Sequence, residues 1–341
     1  MYWWDYCLIF IIVCTWLGKL WLKNKHLPKP VQEENKKRNQ PRKWKSPNGV
    51  EYDIDLVEYP AFGYAHSEAI KKHLTENGFV VVRGTIKNDT RQRLRDRIQS
   101  LAQENIGVQR NGFLDFYHDD TLAQLRQEPN IYFVFANLLG SQRLWVVFDR
   151  VIYQQQEESE SNLTLLPHVD QNPITYPEFS HLQGMVALAD MNERTGVLSV
   201  VPKSPIFFTD YLQWVEGRES YIPNQSPTLP TFVGLCVKAG DLIIWDSRTT
   251  HSRYRESVLG DERYAALISF MKVPTTSNYS QLREERLRCF EQGIGANNHE
   301  AGLRATASPR FEHPLRVETE RLTRLGERLY GEKEWKKGVE G

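Results

Sequence analysis

The sequence is poor in cysteine, with four in 341 residues, and it contains no CxxC pair. Cys7 and Cys14 lie in an apolar N-terminal run, whereas Cys236 and Cys289 are far apart in the body of the chain. This usage predicts neither a disulfide framework nor a cysteine-rich metal site. It is typical of a reducing compartment, although four N-x-S/T triplets leave a secretory route open.

The chain also lacks an excess of charge of either sign, because 43 Lys and Arg residues balance 43 Asp and Glu residues. Basic residues cluster only between positions 19 and 45, so we expect no nucleic-acid partner for the rest of the chain. Internal repeats are absent from the sequence, and the apolar fraction of 40% is enough for a sizeable globular core.

One long apolar run is present at the N-terminus, from Tyr6 to Leu22. Tryptophans flank it, no basic residue precedes it, and it has no small-x-small cleavage pattern, which favours a retained anchor over a cleaved signal peptide. We therefore predict a single transmembrane helix within residues 1–24 and a basic, proline-containing linker over 25–51. The basic residues that follow the run predict a single-pass protein of an endomembrane with its body in the cytosol.

The body of the chain, residues 52–341, changes pattern near residue 143. Helical patterns dominate before it, and short β-rich runs separated by turn residues follow it. We predict an α+β fold in which flanking helices cover a double-stranded β-helix of the jelly-roll or cupin-like type. The barrel should span about 143–275, and residues 276–341 should form a helical C-terminal extension.

The stretch LPHVDQNP places His168 and Asp170 two residues apart near the end of a predicted strand. Side chains at i and i+2 of a strand share a face, so both could point into the mouth of the barrel. A His-x-Asp pair is weak evidence by itself, and the sequence contains a second one, His118 and Asp120. Those acids precede a helical run, so we predict a helix N-cap there and no metal ligand.

A third candidate ligand, His251, ends the stretch GDLIIWDSRTTH after enough strands to return to the first pair. Two imidazoles and one carboxylate suit ferrous iron and leave coordination positions open. Arg263 begins the next predicted strand and could hold a carboxylate through two parallel hydrogen bonds, with Arg253 and Arg255 as competitors. The alternatives are an ordinary histidine bonded to a nearby loop and a solvated arginine.

With HVD at 168, GDLIIWDSRTTH ending at 251 and Arg263 following, the chain resembles the phytanoyl-CoA dioxygenase (PhyH) family of Fe(II)- and 2-oxoglutarate-dependent oxygenases. HLTENGFVVVRGTI and LQGMVALADMNERTGVLSVVPKSP are similar to that family's opening and central segments. The resemblance implies iron held by His168, Asp170 and His251, the 2-oxoglutarate carboxylate on Arg263, and dioxygen as the third reactant. The VPKSP segment departs from the family, which usually has Ser-His there.

Further contacts are predicted from position along the strands. Arg253, Gln154 and Gln183 are candidate contacts for the co-substrate, and Gln171 and Asn172 are candidate contacts for the substrate. Each of these amides could equally bond to its own barrel. Trp245 and Phe270 are predicted to be core residues.

The resulting hypothesis is a membrane-tethered hydroxylase acting on a small lipid-like or acyl-CoA substrate. The predicted anchor is the only reason for expecting a lipid. Two alternatives stay open: a catalytically silent, membrane-tethered binding module, and an oxygenase that acts on a protein. The oligomeric state does not follow from the sequence.

Overall fold

A computed structural model describes residues 42–45, 51–104, 112–114, 117–154, 167–171, 178, 181–206, 208, 231–254, 261–297, 304–306 and 321–336. All of these residues belong to one compact unit, Asn39–Gly341. The strands are β1 Arg42–Lys45, β2 Glu51–Glu58, β3 Phe62–Gly63, β4 Phe79–Arg83, β5 Phe113–Leu114, β6 Leu144–Val146, β7 Val151–Gln154, β8 Leu182–Ala187, β9 Val197–Val200, β10 Phe232–Cys236, β11 Leu242–Asp246, β12 His251–Tyr254, β13 Arg263–Leu267, β14 Phe270–Lys272, β15 Gly295–Asn297 and β16 Arg304–Thr306. The helices are α1 Ser67–Asn77, α2 Asn88–Gln103, α3 Asp120–Arg126, α4 Pro129–Leu139, α5 Tyr279–Gln292 and α6 Arg324–Tyr330.

Two sheets form the barrel. The larger has the strand order β3-β4-β11-β8-β13-β7-β5, and the smaller has the order β1-β2-β10-β9-β12. Two parallel pairs, β3 with β4 and β2 with β10, accompany the antiparallel pairs. The crossovers between strands distant in sequence agree with the predicted jelly-roll type of barrel.

The residues of β4 show how the core divides. Val80 and Val82 face a helical layer that includes Leu94 of α2, whereas Phe79 and Val81 belong to the cluster between the two sheets. Alternation along the strand puts these pairs on opposite faces, and both faces are buried. An apolar run such as FVVV is typical of a strand covered on both sides.

The β-rich run from Arg263 to Val273, whose sequence predicts a single strand, is two strands in the structure, β13 and β14. The Ser269 hydroxyl accepts the Gly184 amide at 3.1 Å at the point where the chain leaves the larger sheet. Phe270 then pairs with Val146 of β6 in a separate two-stranded sheet. Residues 163–166, whose β-rich sequence also predicts a strand, lie outside the described residues.

The prediction of a membrane-spanning helix is not supported. Within the part of the chain that the structure describes, every helix is too short or too polar to cross a bilayer. The predicted anchor, residues 1–24, lies outside that part. We therefore correct the localisation: the single-pass, cytosol-facing assignment was wrong and is not used below.

Candidate metal centre

His168, Asp170 and His251 come together at one end of the barrel. One ligand atom from each residue lies within 4.8 Å of the others. The backbones of His168 and His251 pair as an antiparallel bridge, with N to O distances of 3.0 and 2.9 Å in the two directions. This bridge brings two segments that are distant in sequence side by side. The number of predicted strands between them led to the same expectation.

The distances within the triad fit a single ion. Asp170 Oδ1 lies 3.6 Å from His168 Nε2, and Asp170 Oδ2 lies 3.3 Å from His251 Nε2. Metal–ligand bonds of about 2.1 Å at right angles place two ligand atoms about 3.0 Å apart. The three groups are therefore close enough to share one ion, and two imidazoles with one carboxylate are a donor set that suits ferrous iron.

The orientation of the His251 ring is fixed from behind. Its Nδ1 donates to the Thr249 carbonyl at 2.9 Å, which leaves the Nε2 lone pair directed towards Asp170. Burial is the largest influence on the His251 pKa and lowers it, but the Asp170 carboxylate and the Thr249 carbonyl together raise the pKa above its usual value. The site is therefore strongly attractive to positive charge.

A second set of bonds joins the segments that carry the ligands. The Ser247 carbonyl accepts the Asp170 amide at 3.2 Å, and the Ser247 hydroxyl donates to Gln171 Oε1 at 2.5 Å. Gln171 is fully buried, and its Nε2 donates to the Glu178 carbonyl. The predicted substrate contact Gln171 thus has its amide bonded to the barrel.

The loop before His251 is also held from the opposite side. The Gly78 carbonyl accepts the Asp246 amide and the Thr249 hydroxyl, both at 2.8 Å. Ser204, in the VPKSP segment, accepts the Thr250 amide at 2.8 Å through its hydroxyl. Although this segment departs from the family pattern, it keeps a serine, and that serine supports the loop before His251.

Arg263 lines the same cavity as the three candidate ligands. The cavity has a volume of about 320 Å³ and lies between the sheets, with Met185 and Leu198 on facing walls. Arg263 is only 2% exposed, its Nη2 lies 3.8 Å from the Met185 sulfur, and it faces Gln154 across the β13–β7 pair. A buried guanidinium here suits a carboxylate whose other end reaches the triad.

The remaining predicted contacts divide by position. Gln183 and Arg253 both line the cavity, and Arg253 shares a strand face with His251. Gln154 is fully buried beside Arg263 but lies outside the lining of the cavity. Asn172 lies outside the described residues, so its predicted role stays a prediction.

The phytanoyl-CoA dioxygenase (PhyH) family model matches residues 74–253, which is more than half of the chain. The chain belongs to the phytanoyl-CoA dioxygenase family. The matched range includes His168, Asp170 and His251 but ends before Arg263. The family match therefore gives no information on Arg263. Its predicted role in this PhyH chain depends on its place in the cavity.

Individual relatives of this PhyH chain are distant. Ava biosynthesis cluster protein O of Aspergillus versicolor is 25% identical over 200 residues, which are 53% of this chain and 63% of that protein. The chain thus matches less than two thirds of that relative's length. GlcNAc Inducible Gene 2 from Candida albicans has a TM-score of 0.61 at 12% identity, covering 83% of this chain and 81% of that one. Hypothetical protein JW0805 from Escherichia coli has a TM-score of 0.60 at 14% identity, covering 81% and 85%. Both structural likenesses concern the fold.

Some cavity residues were missed by sequence reasoning. His181, Asp149 and Ser269 line the cavity, and so does Trp245, which was predicted to be a core residue. Trp245 lies opposite Gln183 in the β11–β8 pair. Because Gln183 is a predicted cavity residue, knowledge of this register would have predicted that Trp245 also lines the cavity. Phe270 is buried in the core as predicted.

The second His-x-Asp pair lies apart from the centre. His118 is fully buried and its Nε2 bonds to the Ile294 carbonyl. The cap of α3 is Asp119, whose carboxylate accepts the Thr121 amide at 2.8 Å. The capping explanation therefore holds with the cap one residue before Asp120.

Proposed function

We propose that this protein is an Fe(II)- and 2-oxoglutarate-dependent dioxygenase that hydroxylates a small molecule. The observation that carries the proposal is the convergence of two imidazoles and one carboxylate beside the buried Arg263 in one cavity. Membership of the phytanoyl-CoA dioxygenase family supports the same chemistry. We assign His168, Asp170 and His251 as the iron ligands.

Bound together, iron, 2-oxoglutarate and dioxygen supply the oxidising power that inserts one oxygen atom into a C–H bond and gives succinate and carbon dioxide. Arg263 holds the distal carboxylate of 2-oxoglutarate, because a buried guanidinium makes strong paired hydrogen bonds to that group. Gln154 supports Arg263 from the neighbouring strand, and Gln183 and Arg253 orient the bound molecules from the walls. The apolar residues between these groups exclude water.

The size of the cavity supports a small substrate. Ligand pockets run from about 300 to 1,000 Å³, and about 320 Å³ here must hold both the co-substrate and the reacting part of the substrate. A relative from a biosynthesis cluster agrees with small-molecule chemistry. The lipid-like class rested on the predicted anchor, so we do not carry it into the proposal.

The test is succinate formation by the full chain supplied with Fe(II), 2-oxoglutarate and air, measured by mass spectrometry. We expect slow succinate release even without a substrate, dependent on both additions, and its loss in His168→Ala. Asp120→Ala is the matched control, since it removes a carboxylate from the other His-x-Asp pair. Equal succinate from His168→Ala would refute the proposal, and metal binding without succinate would favour the binding-module alternative.

A further inference from the structure

Asp149 is a buried carboxylate in the cavity wall that the proposed chemistry does not use. It lines the same cavity as the triad and Arg263, and it is 8% exposed. It lies between β6 and β7, one residue after Phe148, which packs in the outer core. Burying a carboxylate costs folding free energy unless the group is paired and hydrogen-bonded.

The backbone of Asp149 is held by a buried arginine. Arg126 is fully buried, and its Nη2 donates to the Asp149 carbonyl at 2.7 Å while its Nη1 donates to the Tyr117 carbonyl at 2.6 Å. The C-terminal extension supports the preceding strand, because Trp335 Nε1 donates to the Leu144 carbonyl at 3.0 Å. This part of the wall is therefore fixed from outside the cavity.

One carboxylate oxygen of Asp149 is engaged and the other is open. Oδ1 accepts the Arg150 amide at 2.7 Å, whereas Oδ2 accepts no hydrogen bond from the described residues. Oδ2 also keeps some accessible surface. Asp149 is also one of the residues that line the cavity.

The neighbouring Arg150 neutralises this carboxylate only in part. Its Nε lies 3.8 Å from Oδ1, which is too long for a hydrogen bond. Its guanidinium lies over the Phe113 ring, 4.2 Å from the ring centroid, where a cation–π contact holds it. Asp149 on the cavity wall therefore keeps negative charge that no hydrogen bond from the Arg150 guanidinium offsets.

We infer that Asp149 binds a cationic nitrogen group of the substrate, an ammonium or a guanidinium, an inference that rests on the proposed function. A charged N–H donor makes the strongest hydrogen bond to a carboxylate, whereas a hydroxyl would add no positive charge to that of Arg150. Val147, Ile152 and Leu198 line the same cavity and suit an apolar carbon skeleton. The substrate class is thus a small amine or guanidine with an apolar frame.

The test compares three probes of similar shape: benzylamine, benzyl alcohol and benzoate. Their affinities are measured by calorimetry on the full chain loaded with Fe(II) and 2-oxoglutarate without oxygen. We expect benzylamine to bind roughly tenfold or more tighter than benzyl alcohol, as a charge-assisted hydrogen bond provides. Asp149→Asn keeps an oxygen for the Arg150 amide but removes the charge, so it should abolish this difference.

Asp190→Asn is the matched control. Asp190 also accepts a backbone amide, that of Ala239 at 2.8 Å, but it is exposed and lies outside the cavity lining. This variant should keep the amine preference. The ranking of the three probes in the unmodified protein tests the inference even if Asp149→Asn folds poorly.

Several results would overturn the inference. Tighter binding of benzoate would mean that the arginines of the cavity dominate. Equal binding of benzylamine and benzyl alcohol would exclude the proposed contact, and so would an amine preference that survives in Asp149→Asn. Binding of Fe(II) and 2-oxoglutarate is measured on the same samples. If the unmodified protein fails to bind them, the proposed function falls and this inference with it. A loaded protein without amine preference overturns this inference alone.

Discussion

Replacing Ser247 with alanine should weaken metal binding although Ser247 is not a ligand. Its hydroxyl donates to Gln171 Oε1 at 2.5 Å, and Gln171 follows the candidate ligand Asp170 directly. The backbone bond from Asp170 to the Ser247 carbonyl remains in the variant. The perturbation therefore removes a side-chain link between the two ligand segments and leaves their backbone links, including the His168–His251 bridge.

The magnitude follows from burial. Both side chains are fully buried, so the variant leaves Gln171 Oε1 without this donor in a place that water does not reach. Removing one partner of a buried hydrogen bond costs about 1–3 kcal/mol of folding free energy. Loss of an outer contact that orients a ligand lowers metal affinity by roughly 10–100-fold, and we expect Ser247→Ala to fall in that range.

The assay is a titration of the full chain with Co(II), used as a stable substitute for Fe(II), together with urea unfolding of the metal-free protein. Thr90→Val is the control, since Thr90 is buried and donates to Glu128 at 2.7 Å far along the chain from the ligands. Both variants should lose stability, but only Ser247→Ala should lose Co(II) affinity. Equal Co(II) affinity in Ser247→Ala and the unmodified protein would refute the positioning argument.

Three further predictions concern other parts of the structure. Gly78→Ala should cost about 1–3 kcal/mol of stability and weaken metal binding, because φ is +82° and the new Cβ would lie 2.8 Å from the ligand loop. Gly140→Ala is the control, because Gly140 has φ +62° and an added Cβ would meet nothing within 4 Å, so this variant should lose stability but keep its metal affinity. An equal loss of metal affinity in the Gly78 and Gly140 variants would contradict the prediction. Arg263→Met should raise the KM for 2-oxoglutarate by roughly 100-fold without changing metal affinity, and an unchanged KM in steady-state assays would exclude Arg263 as the carboxylate partner. Burial raises the pKa of the Cys289 thiol, so peptide mapping should find it alkylated only after unfolding, and rapid labelling of the native protein would contradict its burial.

The triad and the barrel could be predicted because their determinants are local. Side chains at i and i+2 share a strand face whatever the rest of the chain does, which links His168 to Asp170. The stretch before His251 has a turn followed by a buried strand, and the structure has β11 and a supported loop there. Such patterns carry through to the fold because burial selects the register.

The wall residues could not be predicted because their partners are distant in sequence. The role of Asp149 depends on Arg126 and on the C-terminal extension, and Gln171 depends on Ser247, 76 positions away. The predicted N-terminal anchor rests on hydropathy alone, and its residues lie outside the part of the chain that the structure describes. Hydropathy also gives no information on the side-chain partners of Asp149 and Gln171.

The most direct test of the central claim is a titration of the full chain with Fe(II) under nitrogen, followed by calorimetry. We predict one ion per chain, and no measurable binding in Asp170→Ala or His251→Ala, because each variant removes one of the three donors that converge in the cavity. Undiminished binding of one Fe(II) by both variants would show that the ion is held elsewhere and would contradict the account.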